Sequence, residues 1–291
     1  MGGSESRPQT PPPKLLTDTP WRSLKESGET LENTIVQDIK RLGPEKSPGI
    51  LLLGPVGAGK SSFINSCLSV GIGRKKSIAQ TGSDEGSYTL EFKRYKGSDL
   101  LKNFRFMDCM GIEGAFGKGF HPNDIIFLLE GHVKRNYKFD QDRPMDKESK
   151  FYRPNPTFEE KTHCVVFVID AKAMNDGIPQ AYVDKIKWLQ KEIKKADVPR
   201  ALILTKCDLL CSKVQENVNN IFRSVKVERA VKAASEVFAI DISSIHPVVN
   251  YEVDVELSTA NNVPILLALR QILQYACDRV EYVLDDSDED D

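Results

Sequence analysis

A glycine-rich octapeptide between an apolar stretch and an amphipathic stretch limits the folds open to this chain more than any other feature of its sequence. The octapeptide, Gly54-Pro55-Val56-Gly57-Ala58-Gly59-Lys60-Ser61, matches the pattern G-x-x-x-x-G-K-S. It directly follows the apolar residues 50–53 and leads into residues 60–69, whose apolar side chains recur at helical spacing. A strand, a tight glycine loop and a helix in this order are typical of α/β proteins that bind phosphate groups.

Each residue type in this loop has a physical role in binding a phosphate. Glycines let the backbone N–H groups curl around the anion, and the N-terminus of the following helix adds partial positive charge. Lys60 is expected to neutralise the β and γ phosphates, and Ser61 is expected to bind Mg²⁺. The predicted phosphate-binding residues are Val56, Gly57, Ala58, Gly59, Lys60, Ser61 and Ser62.

From residue 49 onward, strand-sized apolar runs alternate with amphipathic stretches of helical length. This alternation predicts an α/β three-layer domain, with a mainly parallel six-stranded sheet and helices on both of its faces. The predicted strands are 50–53, 88–95, 104–107, 164–169, 201–204 and 247–249, and the predicted helices are 60–69, 122–134, 179–195, 215–238 with one break, and 264–284.

The segments outside this alternation differ from it in composition. Residues 1–20 contain five prolines and few apolar side chains, which predicts a disordered tail. Residues 21–46 hold a helical lead-in, in which Leu31, Ile35 and Ile39 recur at helical spacing. The main domain is predicted over residues 47–284, with a polar insertion at 136–160, and the acidic residues 285–291 are predicted to form a second disordered tail.

Composition excludes several other classes of protein. Of 291 residues, 40% are hydrophobic and 28% are charged, as in soluble globular proteins. No apolar run approaches the roughly 18 residues that cross a bilayer, and the polar first twenty residues do not resemble a secretory signal. A net charge of -2 gives no indication of a nucleic-acid surface. Six scattered cysteines without a C-x-x-C pair indicate a reduced, intracellular protein rather than a disulfide scaffold or a zinc module.

A second motif, Thr205-Lys206-Cys207-Asp208, follows the predicted strand 201–204 and indicates which base is bound. The Asp208 carboxylate can accept hydrogen bonds from N1–H and N2–H₂ of guanine, whereas adenine would leave a buried charge without donors. The aliphatic stem of Lys206 can lie along the base. We therefore expect Thr205, Lys206 and Asp208 to recognise guanine, so that the ligands are GTP and GDP with Mg²⁺.

A third motif, Asp108-Cys109-Met110-Gly111, follows the predicted strand 104–107. In P-loop GTPases a D-x-x-G aspartate holds Mg²⁺ through water, and the glycine N–H meets the γ-phosphate. Asp108 and Gly111 are therefore predicted to sense whether that phosphate is present. The glutamine that orients the attacking water in Ras-like enzymes is replaced by Ile112. Hydrolysis is therefore expected to be slow, and no catalytic residue is assigned, although Glu113 and His121 are nearby polar candidates.

Two further elements of such a site are less clear. Thr81 is the candidate switch threonine that would join Mg²⁺, with Ser83 and Thr89 as rivals. After the last predicted strand, the loop Asn250-Tyr251-Glu252 stands where a base-flanking loop is expected, and Tyr251 is the residue predicted to lie against the base.

Taken together, four segments resemble the interferon-induced protein 44 and 44-like family of GTPase-like immune proteins. They are L-L-L-G-P-V-G-A-G-K-S-S-F-I-N-S, D-C-M-G, H-C-V-V-F-V-I-D and L-T-K-C-D. The resemblance implies a cytoplasmic, interferon-induced protein with antiviral association and a guanine-nucleotide-binding domain. It also implies that strand 88–95 is antiparallel, that residues 54–62, 108–111 and 205–208 form the site, and that protein partners exist, with a nucleotide-dependent homodimer among the options.

The sequence leaves alternative functions open. The leading hypothesis is a nucleotide-dependent switch that hydrolyses GTP slowly. A small-molecule phosphotransferase would have the same phosphate loop and would need a lid of arginines, for which Arg135, Arg143 and Arg153 are candidates. A third alternative is a scaffold that keeps its nucleotide as a structural ligand. Modification at either end is a weaker prediction: Gly2 fits an N-myristoylation pattern, and Ser287 lies among carboxylates as in acidophilic kinase sites.

Overall fold

A computed structural model describes residues 14–79, 91–112, 121–140 and 142–289, with the backbone alone for 287–289. In this part of the chain, six strands form one sheet in the order β2-β3-β1-β4-β5-β6. All neighbouring strands are parallel except the antiparallel pair β2 and β3. The strands are β1 (Gly49–Leu53), β2 (Lys93–Lys96), β3 (Arg105–Asp108), β4 (Cys164–Asp170), β5 (Arg200–Thr205) and β6 (Ile245–Pro247).

Helices surround this sheet in two groups, and the predicted α/β fold class is confirmed. The helix α9 packs against α1, α2 and four of the strands, whereas α8 packs against α4, α5 and β6. None of the described helices combines the length and the apolar composition that a bilayer-spanning segment needs. The helices are α1 (Gly28–Arg41), α2 (Lys60–Ile72), α3 (Asp124–Glu130), α4 (Ala171–Asp176), α5 (Gln180–Lys195), α6 (Cys207–Leu210), α7 (Ser212–Glu216), α8 (Val225–Phe238) and α9 (Thr259–Glu289).

The core follows from the periodicity of the sequence. Every residue of β1 is buried, as expected for a parallel strand covered on both faces. In α5, Ile186, Leu189 and Ile193 form a buried stripe, whereas most of the helix's lysines point to solvent. All six cysteines are buried and unpaired, which agrees with the predicted reduced state.

Several predicted boundaries are wrong for identifiable reasons. The last helix begins at Thr259 and encloses Pro264, because the Ser258 carbonyl already accepts the N–H of Asn262. The predicted strand 247–249 lies two residues too late, since β6 pairs with β5 from Ile245. The predicted break in helix 215–238 is found between α7 and α8, and α8 begins where the Ser224 hydroxyl accepts the N–H of Val227.

The predicted tails are shorter than expected in the described residues. Residues 14–20 were predicted to be free, but Thr17 donates its N–H to the carbonyl of Arg223 at 2.8 Å. The Arg223 guanidinium donates back to the Thr17 carbonyl at 3.1 Å. Trp21 extends this contact, because its ring packs edge-on against the ring of Phe222. At the other end, α9 continues to Glu289 through most of the predicted acidic tail.

The predicted insertion, residues 136–160, packs on the domain through apolar side chains. Tyr137, Phe139 and Met145 are buried, and an isolated bridge joins Lys138 to Glu91 just before β2. These anchors lie near α3, whose first residue, Asp124, accepts the N–H of Met145 at 2.7 Å. The insertion is therefore attached to the helix that follows the D-x-x-G loop.

Candidate functional site

The glycine-rich loop lies between the carboxyl end of β1 and the first residue of α2, as predicted. Gly54 is required by close packing, because a Cβ atom there would lie 1.9 Å from the carbonyl oxygen of Val168 in β4. Gly57 and Gly59 adopt positive φ angles of 73° and 91°, which L-residues with a side chain rarely adopt. Local sequence and neighbouring strand together fix the shape of this loop.

The Lys60 side chain lies back across the loop. Its ammonium group donates hydrogen bonds to the carbonyls of Gly54 at 3.0 Å and Pro55 at 2.9 Å, and the residue is only 7% exposed. The positive charge of Lys60 is thereby held over the glycine-rich loop, whose N–H groups would surround a phosphate. From this position the ammonium group can neutralise a bound phosphate.

Asp108, the last residue of β3, meets the start of α2. Ser61 donates its hydroxyl to Asp108 Oδ2 at 2.7 Å. The other carboxylate oxygen, Oδ1, is buried and has no hydrogen-bond partner among the described residues. Burial raises the pKa of Asp108, although the nearby Lys60 charge opposes the shift. A hydroxyl and a carboxylate with a spare oxygen are hard oxygen ligands of the kind Mg²⁺ prefers, so the residues present fit that ion.

The D-x-x-G loop packs directly on the glycine-rich loop. A Cβ atom at Gly111 would lie 2.5 Å from the backbone nitrogen of Val56, so only glycine fits at this contact. The next residue, Ile112, donates its N–H to the carbonyl of Gly54 at 2.9 Å, and its side chain is buried in the core. The structure therefore brings Gly111 to the phosphate loop and places no polar side chain at position 112.

The segment after β5 reaches the glycine-rich loop from the other side. Thr205 donates its hydroxyl to the carbonyl of Ala58 at 2.6 Å. Lys206 has a φ of 56° and lies 3.2 Å from Asp170 Oδ2 through its ammonium group. Asp208 is half-buried in the first turn of α6. Within the described chain, no hydrogen bond or ion pair of its carboxylate is found, so its oxygens are available to a ligand.

Tyr251 does not take the predicted position against a base. Its ring is 5% exposed, and its hydroxyl donates to Asn262 Oδ1 at 2.8 Å while accepting the N–H of Ser258. The ammonium group of Lys75 covers the ring at 5.0 Å from its centroid. The tyrosine therefore fastens the loop after β6 to the start of α9, and its faces are not open to a nucleotide.

The preceding residue, Asn250, is the polar group that faces the loop, and sequence reasoning missed it. Its amide nitrogen lies 3.4 Å from the carbonyl of Gly59, and a Cβ atom added at Gly59 would contact both Asn250 and Thr205. Asn250 Oδ1 is buried without a hydrogen-bond partner in the described part of the chain. Asn250 directly follows the predicted strand 247–249, and polar residues at the carboxyl edge of a parallel sheet often contact ligands. This position was the signal that could have identified it.

Most of the other predicted residues lie outside the described ranges. Thr81, its rivals Ser83 and Thr89, Glu113 and Gly2 are not described, and neither is the side chain of Ser287. The His121 ring accepts the N–H of Asn123 near the start of α3.

The arginines proposed for a phosphotransferase lid make no contact with the glycine-rich loop among the described residues. Arg135 is exposed just before the insertion, and Arg143 is exposed within it. Arg153 pairs with Glu160 at 2.7 Å close to the beginning of β4, which is the opposite edge of the sheet from the glycine-rich loop. The structure therefore gives no support to the phosphotransferase alternative.

Comparison with known proteins identifies a family for this arrangement. A family model described as 50S ribosome-binding GTPase matches residues 49–206, from the start of β1 to the Thr205-Lys206 pair. The match covers more than half of the chain and includes all three motifs apart from Asp208.

Similar curated proteins agree with the resemblance inferred from the motifs. Interferon-induced protein 44-like from Homo sapiens is 35% identical over 236 residues, covering 80% of this chain and 52% of that protein. Interferon-induced protein 44 from Mus musculus is 31% identical over 234 residues, covering 80% of this chain and 55% of that protein. The chain thus spans about half the length of the curated relatives it matches.

Solved structures resemble the chain more distantly. The crystal structure of Toc33 from Arabidopsis thaliana in complex with GDP and Mg²⁺ has a TM-score of 0.45 at 12% identity, covering 86% of this chain and 93% of that chain. A likeness of this degree adds nothing to the assignment of the site.

Proposed function

The chain belongs to the 50S ribosome-binding GTPase family, with interferon-induced proteins 44 and 44-like among its relatives, and from this premise we propose that its cleft binds GTP and GDP. The observation that carries the proposal is the convergence of two segments, 108–111 and 205–208, on the glycine-rich loop. Thr205 contacts Ala58, Gly111 contacts Val56, and Asp108 contacts Ser61. Phosphate-binding, γ-phosphate-sensing and base-recognising segments are thereby supplied by the ends of three different strands.

Mg²⁺ is part of this proposal. Ser61 and Asp108 are the residues that would hold it, either directly or through water, and the spare Asp108 oxygen supports this role. The ion would neutralise charge on the β and γ phosphates. Thr81 remains the candidate for a third oxygen ligand.

Hydrolysis is proposed to be slow. The residue after Gly111 is Ile112, which is 3% exposed and packed in the core, so it cannot orient a water molecule. The close packing of Gly111 on Val56 supports a switch, because a γ-phosphate that accepts the Gly111 N–H would bind next to this contact and make the position of the D-x-x-G loop depend on the nucleotide. A scaffold that retains GDP as a structural ligand would use the same residues, and nucleotide exchange separates the two.

The cellular role is proposed from the relatives alone. Their names describe interferon-induced proteins, and we propose that this chain acts in the cytoplasm as part of an antiviral interferon response. Protein partners, including a second copy of this chain bound in the GTP state, would carry the signal of such a switch.

Titration calorimetry with GDP, GTP, ADP and ATP in the presence of Mg²⁺ tests the proposal. We expect guanine nucleotides to bind at least tenfold more tightly than adenine nucleotides, because only guanine offers two donors to Asp208. Lys60→Ala is expected to weaken binding about a hundredfold or more, since it removes the charge held over the phosphates. Lys191→Ala, on the exposed face of α5, is the matched control and should bind normally. Preference for ATP, or full affinity in Lys60→Ala, would refute the site.

A further inference from the structure

A cavity of about 670 Å³ opens at the amino edge of the sheet, where β1 and β4 begin, and thus at the opposite edge from the glycine-rich loop. Its walls come from the end of α3, the last part of the insertion, the turn after α5 and the last third of α9. Phe158, Val198 and Val283 supply apolar surface, whereas Lys161, His163 and Arg279 supply nitrogen donors. A cavity that combines an apolar wall with a few converging polar groups has the character of a small-molecule site.

The His163 ring is held in one protonation state and one tautomer. The ring is 3% exposed, and its Nδ1 atom accepts the N–H of Gly49 at 3.0 Å. Burial, together with the charges of Arg279 and Lys161, lowers the pKa of His163 to about 4. A neutral imidazole whose Nδ1 is an acceptor must carry its proton on Nε2. No acceptor for that proton is found among the described residues, so Nε2–H is a donor left for a ligand.

Positive charge outnumbers negative charge at this cavity. Lys161 and Arg279 line it together with one carboxylate, that of Glu130. Lys161 is exposed and forms no ion pair with any described residue. Arg279 is fixed by a 2.8 Å ion pair with Asp197. The Phe158 ring packs against His163 with ring centroids 4.5 Å apart, and the Lys46 ammonium group covers it at 5.0 Å from its centroid. A neutral donor and an ammonium group without an ion pair therefore meet at one wall of the cavity, beside an aromatic ring whose faces are already in contact with protein groups.

We propose that this cavity binds a small organic anion, whose carboxylate or phosphate group accepts the His163 Nε2–H beside the Lys161 ammonium group and whose apolar body lies on Val198 and Val283. Charge-assisted hydrogen bonds hold the anionic group, and the apolar body adds burial of non-polar surface. The site lies at the opposite edge of the sheet from the nucleotide cleft and does not depend on it. Occupation would tie the insertion to α9.

The test uses benzoate and phenyl phosphate as separate probes, because they share an aromatic body and differ in the anionic group. The full chain, loaded with GDP and Mg²⁺, is titrated with each probe while the His163 ring resonances are followed by NMR. We expect saturable shifts of those resonances with at least one probe, and the tighter probe identifies the anionic group that the cavity prefers.

Two variants examine the donors separately. His163→Asn can keep an acceptor for the Gly49 N–H, as the Nδ1 atom does, but has no donor reaching the cavity. It should bind the better probe about tenfold or more weakly by calorimetry. Lys161→Met should weaken binding to a similar extent, and it decides the matter if His163→Asn does not fold. Lys191→Met is the control for loss of a lysine and should bind normally.

Three outcomes would overturn the proposal: no saturable binding at millimolar probe concentration, unchanged affinity in Lys161→Met, or displacement of bound GDP by the probe. The last outcome would place the probe in the nucleotide cleft. Conversely, a chain that binds the probe but no guanine nucleotide would refute the proposed function and leave this cavity assignment intact.

Discussion

Asp208 carries the choice of base in the proposed cleft. Its carboxylate is half-buried in the first turn of α6 and has no partner in the described chain, so guanine can supply both of its donors. Asp208→Asn should turn the preference from guanine to xanthine nucleotides, because the new amide can donate to the extra oxygen of xanthine. Competition between GDP and XDP for a fluorescent nucleotide measures the switch. Asp241→Asn, an exposed aspartate ahead of β6, is the control. Unchanged GDP preference in Asp208→Asn would contradict the assignment.

Gly59 is constrained both by its backbone conformation and by the close packing of neighbouring side chains. Its φ is 91°, and a Cβ atom there would lie 3.2 Å from Asn250 and 3.3 Å from Thr205. Gly73, at the end of α2, has a φ of 71° and open space around it. Both Gly59→Ala and Gly73→Ala should lose about 1–2 kcal/mol of unfolding free energy from left-handed backbone strain.

Nucleotide affinity separates these two glycine variants. Only Gly59→Ala should weaken GDP binding, by about tenfold or more, because the phosphate loop must shift to admit the methyl group. Urea unfolding and calorimetry provide the two measurements. Equal GDP affinity in both variants would show that the packing of Asn250 and Thr205 on this glycine has no bearing on the site.

At the scale of elements, β5 and the glycine-rich loop are joined by one buried hydroxyl. Thr205 donates to the carbonyl of Ala58 at 2.6 Å and lies 3.2 Å from the carbonyl of Ile169. Thr205→Val keeps the side-chain shape but removes this donor, and should cost about 1–2 kcal/mol of stability and several-fold in GDP affinity. Thr205→Ser keeps the hydroxyl and should bind GDP nearly as tightly as the natural chain. Equal losses in both variants would assign the effect to packing.

Some elements were predicted correctly and others were not, because some are determined by local sequence and others by contacts with distant parts of the chain. The order β1, glycine-rich loop, α2 was predictable because each residue type, such as Gly59 with its positive φ, is demanded by local geometry. The start of α9 was not predictable, because Pro264 suggested a first helical position, whereas the Ser258 carbonyl accepts backbone N–H groups that begin the helix earlier. Local sequence cannot reveal such tertiary and capping contacts.

The same limit explains the exchange of roles between Tyr251 and Asn250. Both follow β6, and residue type alone favoured the aromatic ring as the base-flanking group. The hydroxyl of Tyr251 is taken by Asn262, which lies eleven positions further along the chain. Burial of that ring leaves Asn250 against Gly59. A contact between the loop after β6 and the first turn of α9 therefore decided which side chain faces the cleft.

At the scale of the whole molecule, the segment before α1 packs against the residues that precede α8 and against β6. Trp21 packs edge-on against Phe222, and Arg22 lies over both rings. The Arg22 guanidinium also donates to the carbonyls of Ile242 and Ile245, next to β6. The predicted boundary between tail and domain at residue 20 therefore separates segments that fold together. Proline content predicted low burial but gave no information about these long-range contacts.

Stability of the whole molecule should depend on pH through Asp124, the buried first residue of α3. Burial, followed by the charge of Asp140, raises the pKa of Asp124 to about 6, although the N–H of Met145 and the hydroxyl of Tyr137 oppose the shift. A raised pKa in the folded state means that the folded chain holds this proton more tightly than the unfolded chain. The contribution of Asp124 to the free energy of unfolding should therefore fall as pH rises from about 4 to about 6 and stay lower above that range, whereas the buried histidines, whose pKa values burial lowers to about 4, contribute in the opposite direction.

Asp124→Asn tests this dependence, because an amide oxygen can still accept the N–H of Met145 while carrying no charge. The variant should be more stable than the natural chain at pH 7 by about 1–3 kcal/mol, and this difference should shrink as pH falls from 6 to 4. Urea unfolding at a series of pH values measures both quantities. Asp140→Asn, which removes an exposed neighbouring charge, is the control and should produce a smaller change. A variant that keeps the full pH dependence of the natural chain would mean that Asp124 is ionised in the folded protein at the same pH as in the unfolded chain, and that the joint between α3 and the insertion carries no titrating group.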